Sequence, residues 1–287
     1  IRGWRLGRCD GTDSSCWLLA LGLAPGILPD SGTILGFMPD NSLEGKVALI
    51  TGGAHRIGAA IARLLHAQGM KLVIHYHTSE KAAHALQEEL HKVRPESVML
   101  VRGDLNNGER LARNLVFETV ESFDRLDVLI NNASRFYPTP VGEATESQWD
   151  DIVGTNLRAP YFLAQAAVPH LKKTGGCMIN IADIYGDRPL IGYLIYSVAK
   201  AGVIMLTKAL ARELGPEIRV NAIAPGVILW PENELDEMSK QRIISRTPLK
   251  RSGDTDDVAR TALFLIRDAG FITGQVLAVD GGRWVVM

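Results

Sequence analysis

Short apolar runs alternate with amphipathic stretches along most of the chain. Residues 46–51 (Lys-Val-Ala-Leu-Ile-Thr) form an apolar run that ends in Gly52-Gly53. Residues 57–68 then place Ile57, Ile61, Leu64 and Leu65 at helical spacing, so strand, glycine turn and helix open a βαβ unit. The alternation repeats. Strands are predicted at 72–77, 98–101, 128–132, 178–182, 219–224 and 276–279, interleaved with helices at 79–93, 111–120, 156–171, 196–214 and 257–267. Short strands that are apolar throughout, separated by helices, predict an α/β fold: a doubly wound, seven-stranded parallel sheet with helices on both faces. Ligands of such sheets bind beyond the carboxyl ends of the strands, where the strand order reverses.

Composition narrows the function classes. The 287 residues are 46% hydrophobic and 22% charged, with a net charge of -1. That balance argues against nucleic acid or an anionic membrane as the main partner. Three cysteines without metal-ligand spacing predict no metal site and fit a reducing cytoplasm. No uninterrupted apolar run approaches the roughly 20 residues of a membrane span. Residues 1–40 differ from the rest, being loose in Gly, Ser, Asp and Pro. They read as a disordered tail or as sequence upstream of a start at Met38. Arg2, Arg5 and Arg8 ahead of the apolar run 17–23 also admit a short signal peptide. Residues 41–287 are expected to form a single domain.

Candidate chemistry gathers at strand ends. Thr51-Gly-Gly-Ala-His-Arg-Ile-Gly58 occupies the first strand-to-helix turn, where Gly52 and Gly58 would let the backbone approach a pyrophosphate at a helix N-terminus. Arg56 stands where a middle glycine is usual and puts a cation beside the phosphates or the ring pocket. The second strand ends His75-Tyr-His-Thr-Ser79, with no acid before Glu80. An acid there would bind a free ribose hydroxyl, whereas donors and positive charge from His55, Arg56, His77, Thr78 and Ser79 favour the 2′-phosphate of NADPH over NADH. Tyr196 and Lys200 lie four apart, on one face of a predicted helix. A lysine charge nearby would move the phenol towards a working pKa.

Taken in order, Thr51-Gly…Gly58, Asp104-Leu105, Asn131-Asn-Ala133, Asn156, Tyr196-x-x-x-Lys200 and Pro225-Gly226 resemble the short-chain dehydrogenases/reductases over almost the whole chain from about Leu43 to Arg283. The resemblance implies a Rossmann fold and a nicotinamide cofactor. It implies Tyr196 as proton donor, Lys200 on the nicotinamide ribose, and Asn156 beside a proton-relay water. Cofactor contacts would come from Thr51, Gly52, His55, Arg56, Ile57 and Gly58, from His75, Tyr76, His77, Thr78 and Ser79, and from Asp104 and Leu105 about the adenine. Asn132, Ala133 and Ser134 would add to them, as would Pro225, Gly226, Val227 and Ile228 over the carboxamide. The family's pairing of helices 156–171 and 196–214 between subunits implies a homotetramer or dimer, with Ala166, Ala167, Ala209 and Ala211 as small outward positions.

One departure redirects the substrate. Thirteen residues before the tyrosine, where the family carries a serine that holds a substrate carbonyl, this chain has Asp183. A carboxylate opposes an oxygen that is becoming negative, but an acid suits a ring nitrogen that must gain a proton. Aspartate here resembles the pteridine reductases of the short-chain family, as do Arg56, the His-Tyr-His run and the stretch Asn131 to Pro140. That resemblance implies a pterin or folate substrate. Phe136 would stack on it, Ser134 and Arg56 would supply polar contacts, and Tyr193, Leu229 and Trp230 would line the pocket, with 232–237 as a lid. Thr78 departs from the arginine of the parasitic-protozoan enzymes. The alternatives are a short-chain carbonyl reductase, such as one acting on a 3-oxoacyl thioester, and a non-catalytic dinucleotide sensor.

Overall fold

A computed structural model describes residues 41–228 and 236–286. The chain runs β1 (Val47–Thr51), α1 (Arg56–Ala67), β2 (Lys71–Tyr76), α2 (Glu80–His91), β3 (Val98–Arg102), α3 (Gly108–Phe123) and β4 (Val128–Asn131). It continues α4 (Glu146–Val153), α5 (Ala159–Thr174), β5 (Cys177–Ile181), α6 (Leu194–Leu214), β6 (Arg219–Pro225), α7 (Glu237–Arg246), α8 (Thr255–Arg267) and β7 (Val276–Val279). The strands form one sheet in the order β3-β2-β1-β4-β5-β6-β7. Each neighbouring pair is parallel. The chain winds outward from β1 to β3, then returns to lay β4 beside β1 and winds the other way. The switch point therefore lies between the carboxyl ends of β1 and β4, where the glycine turn and Asn132 to Phe136 emerge.

Alternate residues of one strand enter opposite cores, which is why these strands are apolar throughout. Ala48 and Ile50 of β1, with Leu72 and Ile74 of β2, pack with Ile61 and Leu65 of α1 and Val258, Ala262 and Leu265 of α8. Leu49 and Val73, between them, face the opposite layer with Leu115 of α3 and Leu163, Ala167 and Leu171 of α5. Truncating any of these fully buried leucines to alanine costs about 2–5 kcal/mol.

Three expectations are corrected. Helices α4 and α7 were not predicted, because Glu-Ser-Gln-Trp-Asp-Asp-Ile-Val has too few apolar positions and α7 buries none of its residues. A signal for α4 was present: Thr145 and Gln148 form a reciprocal cap at its start. The predicted helix 156–171 begins one turn later, because residues 154–158 form a wider π-turn between α4 and α5. Ala167 and Ala211 are buried in the core, not outward, so of the four alanines only Ala209 is exposed and Ala166 is part-buried. Helix α6 does meet the length and hydropathy of a membrane span, with a mean of 1.5 over its window. Its buried face, including Ala199 and Val203, packs within the fold. The tail expected at 1–40, and Leu229, Trp230 and most of the expected lid, lie outside the described residues.

Candidate active site

The carboxyl ends of β1, β2, β4, β5 and β6 open onto one cleft of about 1020 Å³. At the first turn, Gly52 has a φ of +59°, and an added Cβ would come within 2.9 Å of the Ala133 Cα. A Cβ on Gly58 would meet the Gly52 carbonyl oxygen at 2.5 Å and the Asn132 amide at 2.6 Å. Their missing side chains let β1, α1 and the β4 loop approach one another, and Gly52 also lines the cleft. Asn132 Nδ2 donates to the carbonyls of Thr51 and Gly52, both at 2.9 Å. Thr51, expected on the cofactor, is buried off the cleft wall, and its Oγ1 accepts the Asn132 and Ala133 amides at 3.0 and 3.1 Å.

The three histidines near this turn differ. His75 is buried, its Nδ1 accepting the Gly52 amide at 3.3 Å and its Nε2 lying 3.1 Å from the Gly103 carbonyl. The carbonyl requires the proton on Nε2, and burial pushes the pKa down to about 4. His75 is thus a neutral brace of the glycine turn and brings no positive charge. His55 and His77 stand on the cleft wall with Arg56, Ile57, Tyr76, Thr78 and Ser79. The nearest acid beyond them, Glu80, is 3.6 Å from Arg102. Asp104 caps a short turn by accepting the Asn106 amide at 3.0 Å and approaches His77 at 3.8 Å, with Leu105 beside it. This donor-rich strand end fits a 2′-phosphate.

At the other end, Asp183 follows β5. Its Oδ1 accepts the Tyr185 amide at 2.9 Å and its Oδ2 accepts the Tyr196 hydroxyl at 2.7 Å. Burial raises the Asp183 pKa above the ordinary carboxylate range, against the lowering effect of these hydrogen bonds and of Lys200. Burial and the Asp183 charge hold Tyr196 well above 10, against a lowering hydrogen bond with Ser134. Lys200 donates to the Ile181 carbonyl at 2.8 Å, 5.7 Å from the Tyr196 ring centroid, and burial lowers its pKa to about 8. In this state burial, and after it the adjacent carboxyl, keep the phenol above its ordinary range, opposite to the lowering expected from Lys200.

Phe136 is 42% exposed. It stacks on Tyr193 at 4.5 Å and 15° and meets Tyr196 edge-on at 4.8 Å. These three rings and Asp183 share the cleft with Ala133, Ser134, Pro225, Gly226, Val227 and Ile228. The Val227 carbonyl accepts the Gly253 amide at 3.0 Å. Asn156 is buried below the wall, its side chain accepting the Arg135 amide at 2.7 Å and donating to the Arg135 carbonyl at 2.9 Å. Its side chain thereby holds the wall through one acceptor site and one of its two N–H donors. Sequence reasoning missed Arg135, Pro138, Tyr185, Leu190 and Ile243, all on the cleft. Arg135 and Pro138 fall inside the quoted stretch 131–140 and were within reach; Ile243 lies on the unpredicted α7.

A family model described as enoyl-(acyl carrier protein) reductase matches residues 52–283. The chain belongs to the short-chain dehydrogenase/reductase family. It is 38% identical over 256 residues to the granaticin polyketide synthase putative ketoacyl reductase 2 of Streptomyces violaceoruber, covering 85% of this chain and 98% of that protein. It is 36% identical over 244 residues to the 3-oxoacyl-[acyl-carrier-protein] reductase FabG of Staphylococcus epidermidis (84% and 99% covered) and 37% over 244 to that of Thermotoga maritima (84% and 98%). These names speak of ketoacyl reduction and give the pterin expectation no support.

Proposed function

We propose that this short-chain reductase uses NADPH to reduce a C=N bond of a pterin, dihydrobiopterin-like or dihydrofolate-like. The observation that carries the reading is the Asp183 carboxyl 2.7 Å from the Tyr196 hydroxyl. NADPH held along the β1, β2 and β4 ends would supply the hydride to the ring carbon. The chain's own task is then the proton. A carboxyl with a raised pKa keeps a protonated population towards neutral pH, and Asp183, Tyr196 or a water they orient delivers that proton to the ring nitrogen. With hydride at carbon and this proton at nitrogen, C=N would become CH–NH and the oxidised cofactor would leave as NADP⁺. Lys200 holds the nicotinamide ribose, and exposed Phe136 offers a face to a flat heterocycle. His77, Thr78, Ser79 and Arg56 would meet the 2′-phosphate.

The names of the relatives favour a second reading, reduction of a 3-oxoacyl thioester. Asp183 opposes it when ionised, since charge builds on the carbonyl oxygen during hydride transfer. NADPH oxidation measured in parallel with dihydrobiopterin and with an acetoacetyl thioester separates the two. Faster turnover of the pterin supports the first reading, and turnover of the thioester alone replaces it. We place the enzyme in a reducing cytoplasm, as a homotetramer or dimer paired through α5 and α6, whose Tyr161, Val198 and Met205 are exposed. Sedimentation of the full chain tests the assembly.

A further inference from the structure

We propose that Trp284, which does not line the cleft, is a positioning residue for the substrate wall. The proposal rests on the reading above, in which the β5–α6 loop, residues 182–193, forms that wall. Five of its residues, Ala182, Asp183, Tyr185, Leu190 and Tyr193, line the cleft. The loop is pinned at its base and its far end. The Arg188 amide bonds the Ile184 carbonyl at 3.0 Å, the Leu190 amide bonds Ser197 Oγ at 3.2 Å, and the Gly192 carbonyl accepts the Thr139 amide at 2.7 Å. The Asp187 amide also bonds the Ile184 carbonyl, at 3.2 Å, but the side chains of residues 187–189 are exposed.

Trp284 grips that exposed apex. Its indole Nε1 donates to Asp187 Oδ2 at 2.7 Å, and the Arg188 guanidinium lies over the ring, 5.1 Å from the centroid. Two consecutive loop side chains are thereby held by one ring, through its edge and its face. The tryptophan is itself set by Asp280, whose carboxylate accepts the Gly282 and Trp284 amides at 2.8 and 2.6 Å. Gly281 and Gly282, at φ +65° and +84°, permit the reversal between them. Asp280 also abuts Gly226, where an added Cβ would sit 2.7 Å from the Asp280 Cβ. The Gly226 amide bonds the Val279 carbonyl at 3.0 Å. A single turn after β7 therefore links the segment expected over the nicotinamide to the loop that carries Asp183.

The test uses the full chain with Trp284→Ala, Asp187→Ala and the double variant. KM and kcat are measured with whichever of dihydrobiopterin and acetoacetyl thioester the wild type turns over, and NADPH affinity is measured by fluorescence titration. Each single change should raise the substrate KM about tenfold, with kcat within about threefold and NADPH affinity within about twofold. The double variant should be no worse than the worse single one, since both remove the same link. Trp284→Phe keeps a ring over Arg188 without the N–H and should fall between wild type and Trp284→Ala. An unchanged KM, additive losses in the double variant, or an NADPH affinity that falls in step with KM would each overturn the proposal. Failure of the pterin reading is separate: it appears as wild-type preference for the thioester.

Discussion

The two ends of the cleft are built by different means. At the dinucleotide end the positions are fixed by backbone and close packing: Gly52 against Ala133, Gly58 against the Gly52 carbonyl, His75 spanning Gly52 and Gly103. At the substrate end the wall is made of side chains on loops, namely Phe136, Asp183, Tyr185, Leu190 and Tyr193. The first end admits few residue types at each point. The second can change chemistry through one side chain. Identity of 36–38% to ketoacyl reductases shows the shared family and does not by itself choose the substrate.

Substitutions at the two ends should break this contrast in order of size. Tyr196→Phe removes the hydroxyl beside Asp183 and should cut kcat by about 10²- to 10⁴-fold, with NADPH affinity unchanged in a binding titration. Gly58→Ala forces a methyl against the Gly52 carbonyl and should lower stability by about 1–3 kcal/mol in urea unfolding and weaken NADPH binding as well. His75 gives the dinucleotide end a pH signature. Its folded pKa, about 4, lies below the unfolded 6.5, so the unfolded chain binds the extra proton between these values. Its contribution is complete above pH 6.5 and is lost as pH falls towards 4, about 3 kcal/mol in all. His75→Asn should flatten that part of the stability curve, read from urea midpoints across the window. Phe136→Ala should raise the pterin KM about 2- to 12-fold, the equivalent of one aromatic stack, and leave NADPH affinity alone.

The same contrast explains what the sequence disclosed. Strands such as Val47–Thr51 and Lys71–Tyr76 are apolar on both faces, so their pattern alone implies a covered parallel sheet. The turn Thr51 to Gly58 is legible because its glycines are sterically required, although the sequence could not tell packing of chain on chain from approach of a ligand. His75 and His77 look alike in the sequence and both line the cleft, and only the fold shows that His75 is buried and braces the glycine turn. Lys200 and Tyr196 were correctly expected on one helix. The direction of the phenol's shift was not, because it depends on burial first and then on Asp183, thirteen residues away and brought to 2.7 Å by the β5–α6 loop. Tyr185, Leu190 and Ile243 have no spacing that marks them.

The central claim concerns the proton from the Asp183–Tyr196 pair, and Asp183→Ser tests it most directly. With dihydrobiopterin and NADPH, the variant should lose at least about 100-fold in kcat/KM and keep wild-type NADPH affinity. The wild-type rate should fall as pH rises through the raised Asp183 pKa, a limb that the variant lacks. An unchanged pterin rate in Asp183→Ser would contradict the account.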